Sequence, residues 1–182
     1  LCQNKIILSL KFIIGFRRMS ISKNFENDIK VNQVSEGNFT ANISEDWSIG
    51  QTANGGYSMA LLAKACSKYL EHKDPLVLSA NYIDRVDFGP AEIEVSKIAT
   101  TKSTSSASVS LRQKGILKIF STVTFTDFSK MSGLNDNLRQ APDFESYENC
   151  IQIPYKEGFN PKLDKNLEKK YCSDSIWWEK SD

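Results

Sequence analysis

The stretch Asn54-Gly55-Gly56-Tyr57-Ser58-Met59-Ala60-Leu61-Leu62-Ala63-Lys64-Ala65 breaks the chain with two glycines and enters a strongly apolar helical pattern at once. From Tyr57 onward, Met59, Leu62, Ala63, Cys66 and Leu70 recur at helical spacing, while Lys64, Lys68 and Glu71 line another face. Ala60, Leu61 and Ala65 widen the apolar surface well beyond one stripe, which predicts a helix wrapped by other structure. Asp74-Pro75 stops it. Ser58 nearly spells a hydrolase nucleophile elbow, but that motif needs a buried strand running into the turn, and Ile49-Gly50-Gln51-Thr52-Ala53 is not one. The final position is Ala60 instead of glycine, and the single histidine, His72, lies near the end of the same helix rather than far along the chain. Ser58 therefore reads as a first-turn helix residue.

On the N-terminal side, residues 29–35 and 38–43 are short strand-like runs around a tight-turn signal, Glu36-Gly37. A polar stretch holding Trp47 connects them to the helix. Four strand-like segments follow it: Leu76 to Ile83; a run in which Ile93 and Val95 alternate with Glu92, Glu94 and Ser96; a run with Ala107, Val109 and Leu111 opposite Ser106, Ser108, Ser110 and Arg112; and a run with Leu117, Ile119, Val123 and Phe125 opposite Lys118, Thr122 and Thr124. Each is read as having one apolar and one polar face, the mark of an antiparallel meander with one side on a core. Phe88-Gly89-Pro90 and Lys114-Gly115 have hairpin chemistry. The class is α+β, with the helix as the only filling for the concave face of the sheet.

Composition narrows the function classes. The chain has 182 residues, is 40% apolar and 25% charged, and carries a formal net charge of +1. That is an ordinary globular profile, and near-neutral charge gives no reason to expect nucleic acid or an anionic membrane as partner. Cys2, Cys66, Cys150 and Cys172 are far apart with no CxxC pair, and with one histidine no metal site is expected. No cofactor is expected either. Cys66 reads as a small buried hydrophobe, and the cysteine usage suggests a reducing, cytoplasmic setting.

Residues 1–18 read as an upstream extension or disordered N-terminus. Lys5 to Phe16 is apolar, but about a dozen residues fall short of the ~20 that span a bilayer, and the order of a signal peptide is absent. Met19 begins MSISKNF, which looks like a natural start. Residues 19–128 form the expected domain. Residues 129–170, polar and interrupted by Pro142, Pro154 and Pro161, read as a linker with local ordering. Apolar character returns over residues 171–182, which reads as the beginning of a truncated further domain.

Trp47 with the following Gly50, then Asn54-Gly55-Gly56-Tyr57 and the helix, resembles the N-terminal half of acyl-CoA thioesterases built from two fused hotdog domains. Residues 75–95 (PLVLSANYIDRVDFGPAEIEV) resemble the strand pair after the central helix of that family, and residues 107–128 (ASVSLRQKGILKIFSTVTFTDF) resemble its last hairpin. The resemblance rests on order and spacing over roughly residues 30–128 and implies a curved antiparallel sheet around one helix. It implies hydrolysis of the thioester of acyl-CoA or a related acyl carrier. The chemistry needs an aimed water, a group to orient it and donors for the oxyanion. A glycine-rich helix N-terminus suits the last part, because its N–H groups are unsatisfied and the helix dipole favours negative charge.

The resemblance implies substrate-binding positions at Trp47, Asn54, Gly55, Gly56, Tyr57 and Tyr82. It implies no catalytic residue in this half. In double-hotdog thioesterases the water-activating residues sit mainly in the second hotdog, and where single-hotdog relatives often carry an acid this chain has Ala63, followed by Lys64. A second hotdog in cis, or another copy in trans, is the expected partner. The alternative is a non-catalytic acyl-binding or assembly module, and a hotdog hydratase is a weaker third reading, since its Asp/His pair cannot be placed. His72 reads as a helix C-terminal residue favoured by the dipole, and Asp84 and Asp87 around Arg85 as a solvated ion pair.

Overall fold

The computed structural model describes residues 23–133 and 143–176. The expectations about residues 1–18, and about the aromatic pair Trp177-Trp178, lie outside the described residues. Among the described residues, two helices, α1 (Lys23–Asp28) and α2 (Gly55–Tyr69), accompany ten strands: β1 (Val31–Ser35), β2 (Asn38–Ile43), β3 (Ser48–Ile49), β4 (Thr52–Ala53), β5 (Asp74–Tyr82), β6 (Gly89–Thr100), β7 (Thr104–Gln113), β8 (Ile116–Thr126), β9 (Ile151–Gln152) and β10 (Lys170–Tyr171). Six of the strands form one antiparallel sheet in the order β1-β2-β6-β7-β8-β5. The sheet wraps α2, as the apolar breadth of that helix predicts, and the fold is the α+β hotdog.

Period-two alternation does most of the specification. In β7 every second residue (Ser105, Ala107, Val109, Leu111, Gln113) is buried and the residues between are half-buried. Its neighbours contribute Ala91, Ile93 and Val95 from β6 and Ile119, Val123 and Phe125 from β8 to the same core. At the β7–β8 joint, Lys114 (φ 51°) and Gly115 (φ 77°) both take positive φ, the requirement of a type I′ hairpin turn that matches strand twist. On α2 the deepest residues are Tyr57, Ser58, Leu61, Leu62, Ala65 and Cys66. Met59 and Ala63 sit on the flank, half-buried, because the sheet closes over the neighbouring face.

The two-faced expectation fails in three places. β5 is an edge strand bonded only through β8; Leu78 and Ala80 are half-buried against the core, while Leu76, Val77 and Tyr82 are exposed. In β6 a register shift between Lys97 and Ala99 ends the alternation, leaving Ile98 exposed. Lys118, on the polar side of β8, is buried because the chain leaving β5 folds over it: Ile83 N–H and Asp84 N–H both donate to the Lys118 carbonyl, at 2.9 and 3.2 Å.

The segment from 143 onward holds only short elements. One 3-10 turn, Lys162–Asn166, returns to the 3-10 turn at Glu45–Trp47. Leu163 packs on the core, Lys162 pairs with Glu45, and Asn166 Nδ2 donates to the Asp46 carbonyl at 3.0 Å.

Leu61 has no exposure, so Leu61→Ala should cost about 2–5 kcal/mol of stability. Val77→Thr, on the exposed edge, should stay within about 0.5 kcal/mol. Urea unfolding midpoints of the two variants check the contrast.

Candidate functional site

Asn54 caps α2: its extended backbone (φ −60°, ψ 138°) lets Oδ1 accept the Tyr57 N–H at 3.1 Å. The Asn54 carbonyl takes the Ser58 N–H at 3.0 Å and the Ser58 hydroxyl at 3.1 Å. Ser58 is thereby held inward with no exposure, and a buried hydroxyl bonded to its own helix is no nucleophile. The N–H groups of Gly55 and Gly56 donate to no protein partner among the described residues. They are the orphan donors that a helix start leaves behind.

Tyr82, at the end of β5, reaches across 27 residues of sequence to donate its hydroxyl to the Gly55 carbonyl at 2.8 Å. A Cβ on Gly55 would lie 3.0 Å from that hydroxyl and 3.1 Å from ring carbon Cζ. A side chain at 55 would crowd the tyrosine, which would have to give by a few tenths of an ångström. Burial pushes the Tyr82 phenol above its ordinary value, so it remains a neutral donor. Asn81, the neighbouring residue, is exposed.

Beside this helix start lies an open cleft of about 520 Å³, lined by Thr52, Gly55, Ser58, Tyr82, Asp84 and Arg85 among others. Its floor is pinned from three sides. Thr52 Oγ1 and Ala53 N–H donate to the Val86 carbonyl at 3.0 and 3.1 Å. Gln113 accepts the Asp87 N–H at 2.9 Å and donates to the Asp87 carbonyl at 2.8 Å. Lys118 Nζ meets Asp84 Oδ2 at 2.6 Å and Asp87 Oδ2 at 3.7 Å. The Asp84–Arg85–Asp87 group is thus more than the solvated pair its spacing suggests. Arg85 does bridge to Asp87 at 3.1 Å, but the central cation is Lys118, whose side chain is 7% exposed. The Lys118 ammonium and the Arg85 N–H hold the Asp84 carboxyl below the usual carboxylate range.

Of the expected site residues, Gly55 and Tyr82 line the cleft, and Asn54 and Gly56 flank Gly55 in the chain. Trp47 and Tyr57 form a second cluster within the core. Their rings stack at 5.9 Å and 12°, and Phe25 meets Trp47 edge-on at 4.9 Å. Trp47 Nε1 donates to Asp28 Oδ2 at 2.9 Å, and the Tyr57 hydroxyl donates to the Asp28 carbonyl at 2.8 Å while accepting the Ser44 N–H at 3.0 Å. Their polar atoms are spent on α1 and on the turn that carries Trp47. Sequence reasoning missed Gln113 and Lys118. The only available signal was two long polar side chains flanking the Lys114-Gly115 turn, which face solvent in an ordinary hairpin.

His72 lies beyond the helix end, buried, with Nδ1 2.8 Å from Ser105 Oγ and Nε2 3.4 Å from the Lys102 carbonyl. It packs at the opposite end of α2 from the cleft. Glu71 beside it is held down to about 2, chiefly by its hydrogen bond from Lys97. No described helix is long and apolar enough to cross a membrane.

A curved sheet around a capped helix, with a cleft beside the helix start, is the architecture of a hotdog domain. Residues 43–126 match the model of the acyl-CoA thioesterase N-terminal domain, so this region is thioesterase-like. The chain is 27% identical over 96 residues to the thioesterase-like protein TwmA of Talaromyces wortmannii, a match spanning 51% of this chain and 28% of that protein. Among solved structures it resembles a candidate thioesterase II of Thermobifida fusca (TM-score 0.76, 20% identity, 83% of this chain and 57% of that one). It also resembles a hotdog-fold protein of Alicyclobacillus acidocaldarius (TM-score 0.70, 17% identity, 79% of this chain and 53% of that one). These structural likenesses speak to the fold. The chain spans little more than half the length of these two structures and less of the curated relative.

Asp84 is the cleft group whose charge the fold exploits. A carboxyl depressed in the folded state lends stability that is fully present above its unfolded value, ~3.9. That stability is lost as pH falls through the lower folded value. Asp84→Asn should therefore make the acid limb of a stability–pH curve shallower, with Glu71 and Asp127 among the carboxyls that supply what remains; unfolding midpoints from pH 7 downward measure it.

Proposed function

We propose that this domain forms half of an acyl-thioester hydrolase site, binding the thioester of acyl-CoA or a related acyl carrier in the cleft at the start of α2. The observation that carries the reading is the cleft at the start of α2, lined by Gly55, whose N–H, like that of Gly56, donates to no protein partner among the described residues, in a domain that matches the acyl-CoA thioesterase N-terminal domain model. The thioester carbonyl lies against those donors, where the helix dipole favours the charge that develops on its oxygen. Asn54 and Tyr82 hold the donors in place through the Tyr57 N–H and the Gly55 carbonyl. Trp47 and Tyr57 act as the rigid wall behind them. The group that orients the attacking water comes from a second hotdog, in cis or from another copy. Residue 63, where single-hotdog relatives often carry an acid, is alanine, and this half contributes pocket and interface. Residues 19–128 act as the domain and 129–170 as the connection to its partner, in a cytoplasmic setting of lipid metabolism.

A second reading, an assembly module without catalysis, is favoured by one observation. β5 offers an unpaired edge with Val77 55% exposed and Tyr82 50% exposed, a surface suited to pairing with another sheet.

The purified chain should bind a non-hydrolysable thioether analogue of a medium-chain acyl-CoA in calorimetry, and Gly55→Ala, which forces Tyr82 aside, should weaken binding at least about tenfold, or ~1.4 kcal/mol. The same chain should turn over medium-chain acyl-CoA poorly or not at all. Multiple turnover that disappears on substituting Gly56 would overturn the half-site. Absence of analogue binding, together with sheet-edge association, would favour the assembly module.

A further inference from the structure

Cys150 and Cys172 are separated widely in sequence but face each other in the fold, with Sγ atoms 3.8 Å apart. β9 and β10 bring them together. Ile151 pairs with Tyr171 and Gln152 with Lys170, so Cys150 and Cys172 occupy the next cross-strand position outward. Directly opposed residues of an antiparallel pair have Cα atoms about 4.5–5.5 Å apart, inside the range a disulfide spans. Both cysteines are partly exposed, whereas Cys66, the other described cysteine, is fully buried within α2.

We infer that Cys150 and Cys172 are a thiol–disulfide pair that closes the excursion between them into a covalent loop. The oxidant is a low-molecular-weight disulfide. One cysteine thiolate attacks it, forming a mixed disulfide and releasing one small thiol. The second cysteine thiolate then attacks the protein sulfur, forming the Cys150–Cys172 bond and releasing the second small thiol. Two protein thiols are oxidised and one small disulfide is reduced to two thiols, so electrons and protons balance.

The closed loop contains Lys162–Asn166, the turn that docks on Glu45–Trp47 through Leu163, the Lys162–Glu45 pair and the Asn166 hydrogen bond. Trp47 in turn stacks on Tyr57 at the start of α2. The bond therefore tethers the cover of that cluster. Glu145 stands beside the pair, the three ligand atoms lying within 4.8 Å of one another. Its carboxylate accepts the Ser173 N–H at 2.9 Å through Oε2.

The test uses the full chain, equilibrated in graded ratios of oxidised to reduced glutathione, quenched in acid, alkylated and mapped by peptide mass. A Cys150–Cys172 linked peptide lighter by two hydrogens is expected, with Cys66 modified only after unfolding. Trypsin cleavage after Lys156 should leave the two parts joined on a gel until reductant is added. Cys172→Ser should convert the product into a glutathione adduct on Cys150, trapping the intermediate. Glutathione adducts on wild type without the internal link, links between chains only, or no oxidation at any ratio would overturn the inference. Protection of both thiols by added zinc with no linked peptide after its removal would overturn it in favour of a metal site.

Discussion

The enclosure of one helix by one sheet is the constraint on which everything else in this molecule depends. Leu61, Leu62, Ala65 and Cys66 have no exposure at all, so α2 is surrounded over most of its circumference. A helix buried this way cannot end its hydrogen bonding in bulk water along its length, and its first turn must be resolved by the protein. Asn54 resolves two of those groups, through its side chain and its carbonyl. Gly55, whose N–H donates to no protein partner among the described residues, lines the cleft where the enclosure opens. The site is a by-product of the way the core closes.

Charge supports the same geometry. The Lys118 ammonium, nearly without solvent, requires carboxylates nearby, and it takes both Asp84 and Asp87. Those two residues frame the loop that Gln113 and the Thr52–Ala53 backbone grip from other directions. Thr52–Ala53, Gln113 and Lys118 thus hold one short loop from three sides.

Much of the fold was legible because it is written in periods. The broad apolar helix after Gly55-Gly56 implied enclosure, and the alternation in β6, β7 and β8 supplied the enclosing face. The family resemblance brought Asn54, Gly55, Gly56 and Tyr82 into consideration, yet not the crowding at position 55, which comes from a tyrosine arriving from a strand that begins after the helix has ended. Lys118 alternates as a solvent-side residue should; only the path of the chain leaving β5 buries it. Cys150 and Cys172 carry no shared motif, since cross-strand neighbours are made by pairing and not by spacing. Trp47 and Tyr57 were read as positions for a ligand; in the structure the indole N–H and the phenol are bonded to Asp28 and Ser44, and the rings stack on each other. Aromatic residues near a glycine pair look alike in sequence whether they line a pocket or brace the wall behind it.

The position of Tyr82 has a consequence for engineering. It closes β5, the strand left unpaired at one rim of the sheet, and its hydroxyl holds the first carbonyl of α2. The usual remedies for a sticky rim, a lysine or proline near the strand end, would here release the helix start as well. Solubility and site geometry share one side chain, so a monodisperse form of this protein is better sought through Leu76 or Val77, which touch the rim alone.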